Sequence, residues 1–273
     1  MSEIDYFYYN PNLDINQEYQ LNQLQDAAND CTYQRQFGLI NLDLSEESLV
    51  ALDAWHLKSS LSSDSLDKDF NLPIGGDFSY HSLLQAEVYP FIQSISAANN
   101  PNIKQVADVI CRIVDEVANG LDENYEYKLK LTLNAYTREG AYSQGWHIDS
   151  SSYDFSRICP LSLKLYEMLF TTALKGPRTL YYVPSDEMDA ELIKMFPDFK
   201  VAESGNANLA REFRNGLPLK ESIFSAPFGY GVLHMYSDYM GSIHDFPSTD
   251  YDERLFMSIK IITNTDLVTK PIF

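Results

Sequence analysis

Apolar residues change their spacing near residue 124, and no other feature constrains the fold as strongly. Upstream, Val106, Val109, Ile110, Ile113, Val114 and Val117 recur at the interval of one helix face. Pro101 and Asn102 precede this run and Asn119-Gly120 follow it, so a helix spanning 107–118 is expected. Downstream, Tyr125, Tyr127, Leu129, Leu131 and Leu133 alternate with Glu126, Lys128, Lys130 and Thr132, the period of a half-buried strand. Strand-like runs recur at 161–170, 179–183, 231–236 and 255–262, and a second helix is expected over 80–95, before the breakers Asn99-Asn100-Pro101. The polar stretch 58–76 reads as a surface loop, and 185–217 as an insertion between strands. A helical first part (1–124) followed by serial short strands (125–273) predicts an α+β protein with a β-sandwich or barrel.

Charge narrows the partners. The 273 residues carry 20 Lys+Arg against 39 Asp+Glu, a net −19, which disfavours nucleic acid and anionic membranes because both are gripped through Lys and Arg. Hydrophobic residues at 45% and charged residues at 22% exclude a disordered or collagen-like chain, and 13% aromatics suit a strand-rich core. Three cysteines, Cys31, Cys111 and Cys159, are too few and too scattered for a disulfide framework or a Cys-rich metal site, so buried thiols are expected. Residues 1–14 are acidic and polar, without the basic and apolar regions of a signal peptide, and a cytoplasmic protein is expected. No stretch approaches the roughly 20 apolar residues of a membrane span.

The chemistry-bearing residues cluster late. Of five histidines, His147 stands in Gly145-Trp146-His147-Ile148-Asp149, and on a strand His147 and Asp149 face the same side. An imidazole and a carboxylate so placed make two of the three ligands of a facial triad, although a His–Asp hydrogen bond on a sheet surface needs the same pair. A third ligand has to come from a distant strand. His234 lies in the apolar run that starts at Gly231, and His244 lies in Gly241-Ser242-Ile243-His244-Asp245. Ten residues after His244 comes Arg254, opening the strand-like run to Lys260. His56 and His81 read as ordinary helix or loop residues.

This ordered set resembles the iron(II)/2-oxoglutarate-dependent oxygenase superfamily, whose signature is His-x-Asp, a distant His and then an Arg one strand later. Gly231 ahead of His244, the stretch Gly176-Pro177-Arg178-Thr179-Leu180 between the metal motifs, and Asn134-Ala135-Tyr136 before His-x-Asp extend the likeness over roughly 126–265.

The resemblance implies a double-stranded β-helix (a jelly-roll, cupin-like core) with the N-terminal helical region packed against it. His147, Asp149 and His244 would bind Fe(II), with His234 the rival for the third position. Arg254 would take the far carboxylate of the cosubstrate 2-oxoglutarate by its planar fork, with Ser258, Tyr136 and Asn134 beside it and Lys164 as the alternative cation. The activity implied is that of a dioxygenase hydroxylating an unidentified substrate with release of succinate and CO2. Asp149 points to oxygenation over halogenation, because halogenating relatives carry a small residue at that position. The acidic charge favours a small amino-acid-like or basic molecule as substrate, with a protein segment as second choice. Two other readings share the barrel: a non-catalytic cupin-like binding module, and a cupin-type metalloenzyme that does not use 2-oxoglutarate and has no need of Arg254.

Overall fold

The computed structural model describes residues 18–30, 37–58, 66–72, 80–121, 127–137, 167–182, 223–235, 244–245 and 253–263. Among them ten strands form two sheets. In chain order the strands are β1 (Glu18–Gln20), β2 (Phe37–Asn41), β3 (Leu66–Asn71), β4 (Tyr127–Thr137), β5 (Glu167–Lys175), β6 (Leu180–Tyr182), β7 (Ile223–Ser225), β8 (Tyr230–Met235), β9 (His244–Asp245) and β10 (Glu253–Thr263). The helices are α1 (Leu24–Asp30), α2 (Glu46–Ala54), α3 (Tyr80–Ile95) and α4 (Ile103–Asn119), with a 3-10 turn at Leu21–Gln23. A seven-stranded sheet runs β1-β2-β8-β5-β10-β4-β3 and a three-stranded sheet runs β7-β6-β9. Every pairing is antiparallel except β1 with β2.

Two-residue alternation decides which face of the large sheet is dry. On β4, Leu129, Leu131, Leu133 and Ala135 are buried, and on β10 so are Leu255, Met257, Ile259 and Ile261. Cross-strand register places the two sets opposite one another, and Phe170 of β5 and Leu233 of β8 join the same core. The helical stripe Val106, Ile110, Ile113, Val114 and Val117 of α4 closes over this face together with Val88 and Ile92 of α3. Each such aliphatic side chain contributes about 2 kcal/mol by leaving water. Cys111 of α4 is fully buried here, and desolvation, helped by Asp108 and Asp115, pushes its thiol up to about 12. Gly231 of β8 permits the close packing: a Cβ there would sit 2.4 Å from Phe170 Cζ.

Both expected helices form, α3 over Tyr80–Ile95 and α4 over Ile103–Asn119, and strands form at β4, β5, β6, β8 and β10. The expectation of a surface loop over 58–76 is corrected in part, because 66–71 is the edge strand β3. Only Phe70 of β3 is buried, and its polar residues face water or neighbours, as where Asp69 meets Lys130 at 2.7 Å and Thr132 Oγ1 at 2.7 Å. A charged, shallow strand is how a sheet edge avoids further pairing, so it carries little apolar signal. The first part of the chain is therefore not helical alone, since β1, β2 and β3 widen the large sheet. The expected insertion at 185–217 lies outside the described residues. No helix among the described residues is long and apolar enough to cross a membrane.

Candidate functional site

Along β4 and the first half of β10 the other face of the large sheet is mostly polar. Antiparallel register sets Arg254 of β10 opposite Tyr136 of β4, Phe256 opposite Asn134, and Ser258 opposite Thr132. All six side chains project away from the helices, because each is one residue out of phase with the buried aliphatic row. Three of the four residues expected at a cosubstrate site, Arg254, Tyr136 and Asn134, are thus near neighbours. Ser258 shares their face roughly 13 Å along the strand from Arg254, beyond Phe256.

Arg254 is 1% exposed. A guanidinium cannot be buried without strong partners. Its Nε donates to the Pro177 carbonyl at 2.8 Å, its Nη2 donates to Thr179 Oγ1 at 2.9 Å, and the Phe256 ring lies 4.5 Å beneath the cation. The acceptors come from the segment joining β5 to β6. Gly176 opens that segment at φ +77°, and a Cβ there would sit 2.2 Å from the Glu253 carbonyl oxygen. Only glycine lets the chain turn that tightly against the start of β10 and bring Pro177 and Thr179 under the guanidinium.

Tyr136 and Asn134 act as a pair. Asn134 Nδ2 donates to the Tyr136 hydroxyl at 2.8 Å, which turns the phenol's own proton away from Asn134. Burial pushes the phenol above its ordinary range; Asp67 adds to the rise while Asn134 and Arg254 oppose it. At neutral pH the group is therefore an O–H donor. Asn134 Oδ1 is buried and accepts no hydrogen bond among the described residues.

The three-stranded sheet covers the β2-β8-β5 portion of the same face. Tyr181 and Phe224 pack on Leu39 and Val232, with Phe37 stacked 5.2 Å from Phe224. Tyr181 also ties the sheets together through its hydroxyl, 2.6 Å from Thr171 Oγ1. Beside it lie two buried histidines, His234 on β8 and His244 on β9, at 1% and 8% exposure. Their ring centroids are 5.4 Å apart, and each is 5.8 Å from the Tyr181 ring. His244 and Tyr181 are cross-strand partners. Tyr181 is two residues beyond Thr179, so one short strand links the Arg254 anchor to the histidine pair.

His147 and Asp149 lie outside the described residues, as do Trp146 and Lys164. Among the described residues no group of three metal-ligating side chains gathers, so the donors present are the imidazoles of His244 and His234. Two neighbouring buried imidazoles suit a divalent transition metal, and a carboxylate has to come from elsewhere to complete a facial triad.

Sequence reasoning read His56 as an ordinary residue, Glu253 as at most a surface ion-pair partner of Arg254, and gave Arg178 no role of its own. Glu253 accepts from His56 Nδ1 and from the Leu57 backbone N–H, both at 2.7 Å, on the side of β10 away from Arg254. Arg178 lies with its guanidinium 5.1 Å over Phe228, and burial lowers its pKa. Arg178 belongs to the stretch Gly176-Pro177-Arg178-Thr179-Leu180 that carried part of the resemblance, which was a signal; nothing near His56 in the sequence points to residue 253.

No family model matches the sequence, and no curated protein matches it. Among solved structures the chain is similar to an oxidoreductase of the 2OG-Fe(II) oxygenase family from Burkholderia pseudomallei, at 12% identity and a TM-score of 0.40, over 87% of this chain and 88% of that one. It is similar to the Kdo hydroxylase KdoO bound to cobalt(II), at 12% identity and a TM-score of 0.44, over 90% of this chain and 89% of that one. With succinate and Fe(III) bound, the same hydroxylase gives 11% identity and a TM-score of 0.43, over 90% of this chain and 88% of that one. These three are Fe(II) oxygenases of the 2-oxoglutarate (α-ketoglutarate) type.

Proposed function

We propose that the protein is an Fe(II)- and 2-oxoglutarate-dependent dioxygenase of the hydroxylating type. One observation carries the reading: a fully buried arginine, with a phenol donor opposite it, shares a sheet face with His234, and His244 faces them from the second sheet. A buried, pre-oriented guanidinium on the same sheet face as a buried imidazole suits the binding of an anionic cosubstrate on that face.

In this reading the core is a double-stranded β-helix within 125–273. Strand order supports it: β4 and β5 lie in the large sheet, β6 and β7 in the small one, and β8, β9 and β10 then alternate between the two, as strands of two packed Greek keys would. His147, Asp149 and His244 hold the iron, and His234 stands behind His244 as its packing neighbour.

Arg254 holds the distal carboxylate of 2-oxoglutarate in its fork, and the Tyr136 hydroxyl donates to the same group. Asn134 fixes the phenol through its amide, and Ser258 borders the same face further along. When bound, iron and 2-oxoglutarate supply oxidation of an unactivated C–H bond with release of succinate and CO2. The chain's part is to orient the cosubstrate and to keep bulk water from it, which Phe256, Phe37 and the Tyr181 cluster do by walling the face with rings. The substrate in this reading is a small, amino-acid-like or basic molecule, with a protein segment as the second choice.

Anaerobic titration of the full chain with Fe(II), followed by 2-oxoglutarate, tests the reading. A weak visible charge-transfer band on adding 2-oxoglutarate, and slow succinate release in air, are expected. Metal binding that 2-oxoglutarate leaves unchanged would replace the reading with a cupin-type metalloenzyme, and absence of metal binding would replace it with a binding module.

A further inference from the structure

We infer that Glu253 is a positioning residue for Arg254, clamping the start of β10 to the platform that follows α2. Strand ends fray unless something outside the ladder holds them. Arg254 is the second residue of β10, and its work requires a fixed guanidinium. The Glu253 carboxylate accepts from His56 Nδ1 through one oxygen and from the Leu57 N–H through the other, both at 2.7 Å. Lys175, the last residue of β5, lies 3.6 Å from the same carboxylate and donates its ammonium to the Asp53 carbonyl. Three segments thus meet on one carboxylate, the residues after α2, the end of β5 and the start of β10, and Lys175 ties the end of α2 to them.

The platform is itself immobilised. Trp55 is fully buried and donates from Nε1 to Ser96 Oγ at 2.6 Å. The Lys58 N–H donates to the Ile95 carbonyl and the Ala97 N–H to the His56 carbonyl, both at 2.9 Å, with a bridge pairing Leu57 and Ser96. His56 and Leu57 therefore present their donors from a short ladder welded to the end of α3. The carboxylate is mostly buried, at 16% side-chain exposure, so its hydrogen bonds are worth more than those of a surface pair.

The clamp reaches Arg254 by two routes. It fixes the β10 backbone one residue away. It also fixes Lys175, and Gly176, packed against the Glu253 carbonyl, starts the segment whose Pro177 and Thr179 hold the guanidinium. A bulge adjoins both routes, since Leu255 pairs with Lys175 but Phe256 pairs with Ala173. Bulges re-aim the side chains beside them and need holding on both strands.

Two measurements on Glu253 variants of the full chain test this, and the second rests on the proposed function. The first is solvent exchange of the Arg254 Nε–H, its resonance assigned by loss in Arg254→Lys. Glu253→Ala is expected to accelerate that exchange at least roughly tenfold, while Glu253→Gln, which keeps an acceptor for the Leu57 N–H, stays within about threefold. The second is the 2-oxoglutarate dissociation constant with Fe(II) bound under argon, expected to rise roughly tenfold in Glu253→Ala and to recover in Glu253→Gln. A Glu253→Ala protein with lowered Tm but unaltered Arg254 exchange overturns the inference, for Glu253 would then be structural only. If Glu253→Ala does not fold, His56→Ala removes one donor from the exposed side and is expected to shift the exchange the same way by about threefold, no shift being the refutation. A wild type that does not bind 2-oxoglutarate defeats the proposed function, and the exchange measurement still decides the clamp.

Discussion

The rings of His234 and His244 lie 5.4 Å apart, one on each sheet, with Tyr181 beside both. That closeness makes single substitutions informative. His244→Ala is expected to weaken Fe(II) binding by more than about a hundredfold, whereas His234→Ala weakens it by roughly tenfold, the effect of losing a neighbour that orients a ligand. Anaerobic Fe(II) titration of the two variants reads the difference. The reverse order would transfer the ligand role to His234.

Thr179 takes the Nη2 proton of a buried guanidinium, so its hydroxyl matters more than its size. Thr179→Val keeps the volume and removes the acceptor, and a loss of about 1–3 kcal/mol in urea unfolding is expected. The 2-oxoglutarate KM should rise in the same variant while Fe(II) affinity stays at the wild-type level, and Thr179→Ser should restore both. Arg254→Ala should retain iron and raise the KM by roughly a hundredfold, two lost charge-assisted hydrogen bonds at about 1.4 kcal/mol each.

Gly176→Ala meets two obstacles at once: a φ of +77° and a Cβ 2.2 Å from the Glu253 carbonyl oxygen. A cost of about 1–3 kcal/mol is expected. Gly231→Ala pushes against the Phe170 ring at 2.4 Å and should cost a similar amount. The two should part in function, since only the turn at Gly176 carries the residues that hold Arg254. Comparing thermal midpoints with 2-oxoglutarate KM for both variants checks this.

Cys111 sets an alkaline limit on stability. Its thiol is pushed from 9.0 to about 12 by burial, so above pH 9 the unfolded chain releases a proton that the folded chain keeps. The unfolded state then binds fewer protons, and stability falls as pH rises from 9 towards 12, by about 1.4 kcal/mol per pH unit from this group. Below pH 9 the contribution is intact. Urea unfolding at pH 8, 10 and 11 should show a shallower alkaline decline for Cys111→Ala than for the wild type, relative to each protein's own value at pH 8.

The long elements were legible in the sequence because their burial is one-sided. Leu129, Leu131 and Leu133 on β4, and the stripe from Val106 to Val117 on α4, repeat their period often enough to be read. Alternation also put Arg254, Tyr136 and Asn134 on one face, since each stands out of phase with a buried aliphatic row. Much of what escaped was short or polar, although the buried strand β2 escaped as well. β9 is two residues, β7 and β1 are three each, and β3 exposes nearly all its side chains, so none offers a period to detect. The pairing of His56 with Glu253 spans 197 residues and depends on where α2 ends, which no local pattern records.

The helix-covered sheet has a further consequence for how such a protein can change. Its two faces answer to different demands: one is a wall of interlocked aliphatic groups, the other a bench of separately anchored polar groups. Substitutions such as Ile259→Ala strike the wall and lower the yield of folded protein, whereas exchanges at Ser258 or Phe256 alter what the bench can hold and leave the wall intact. What this face holds can therefore change one residue at a time, at Phe256 or Ser258, while Arg254 and the buried positions between them are kept.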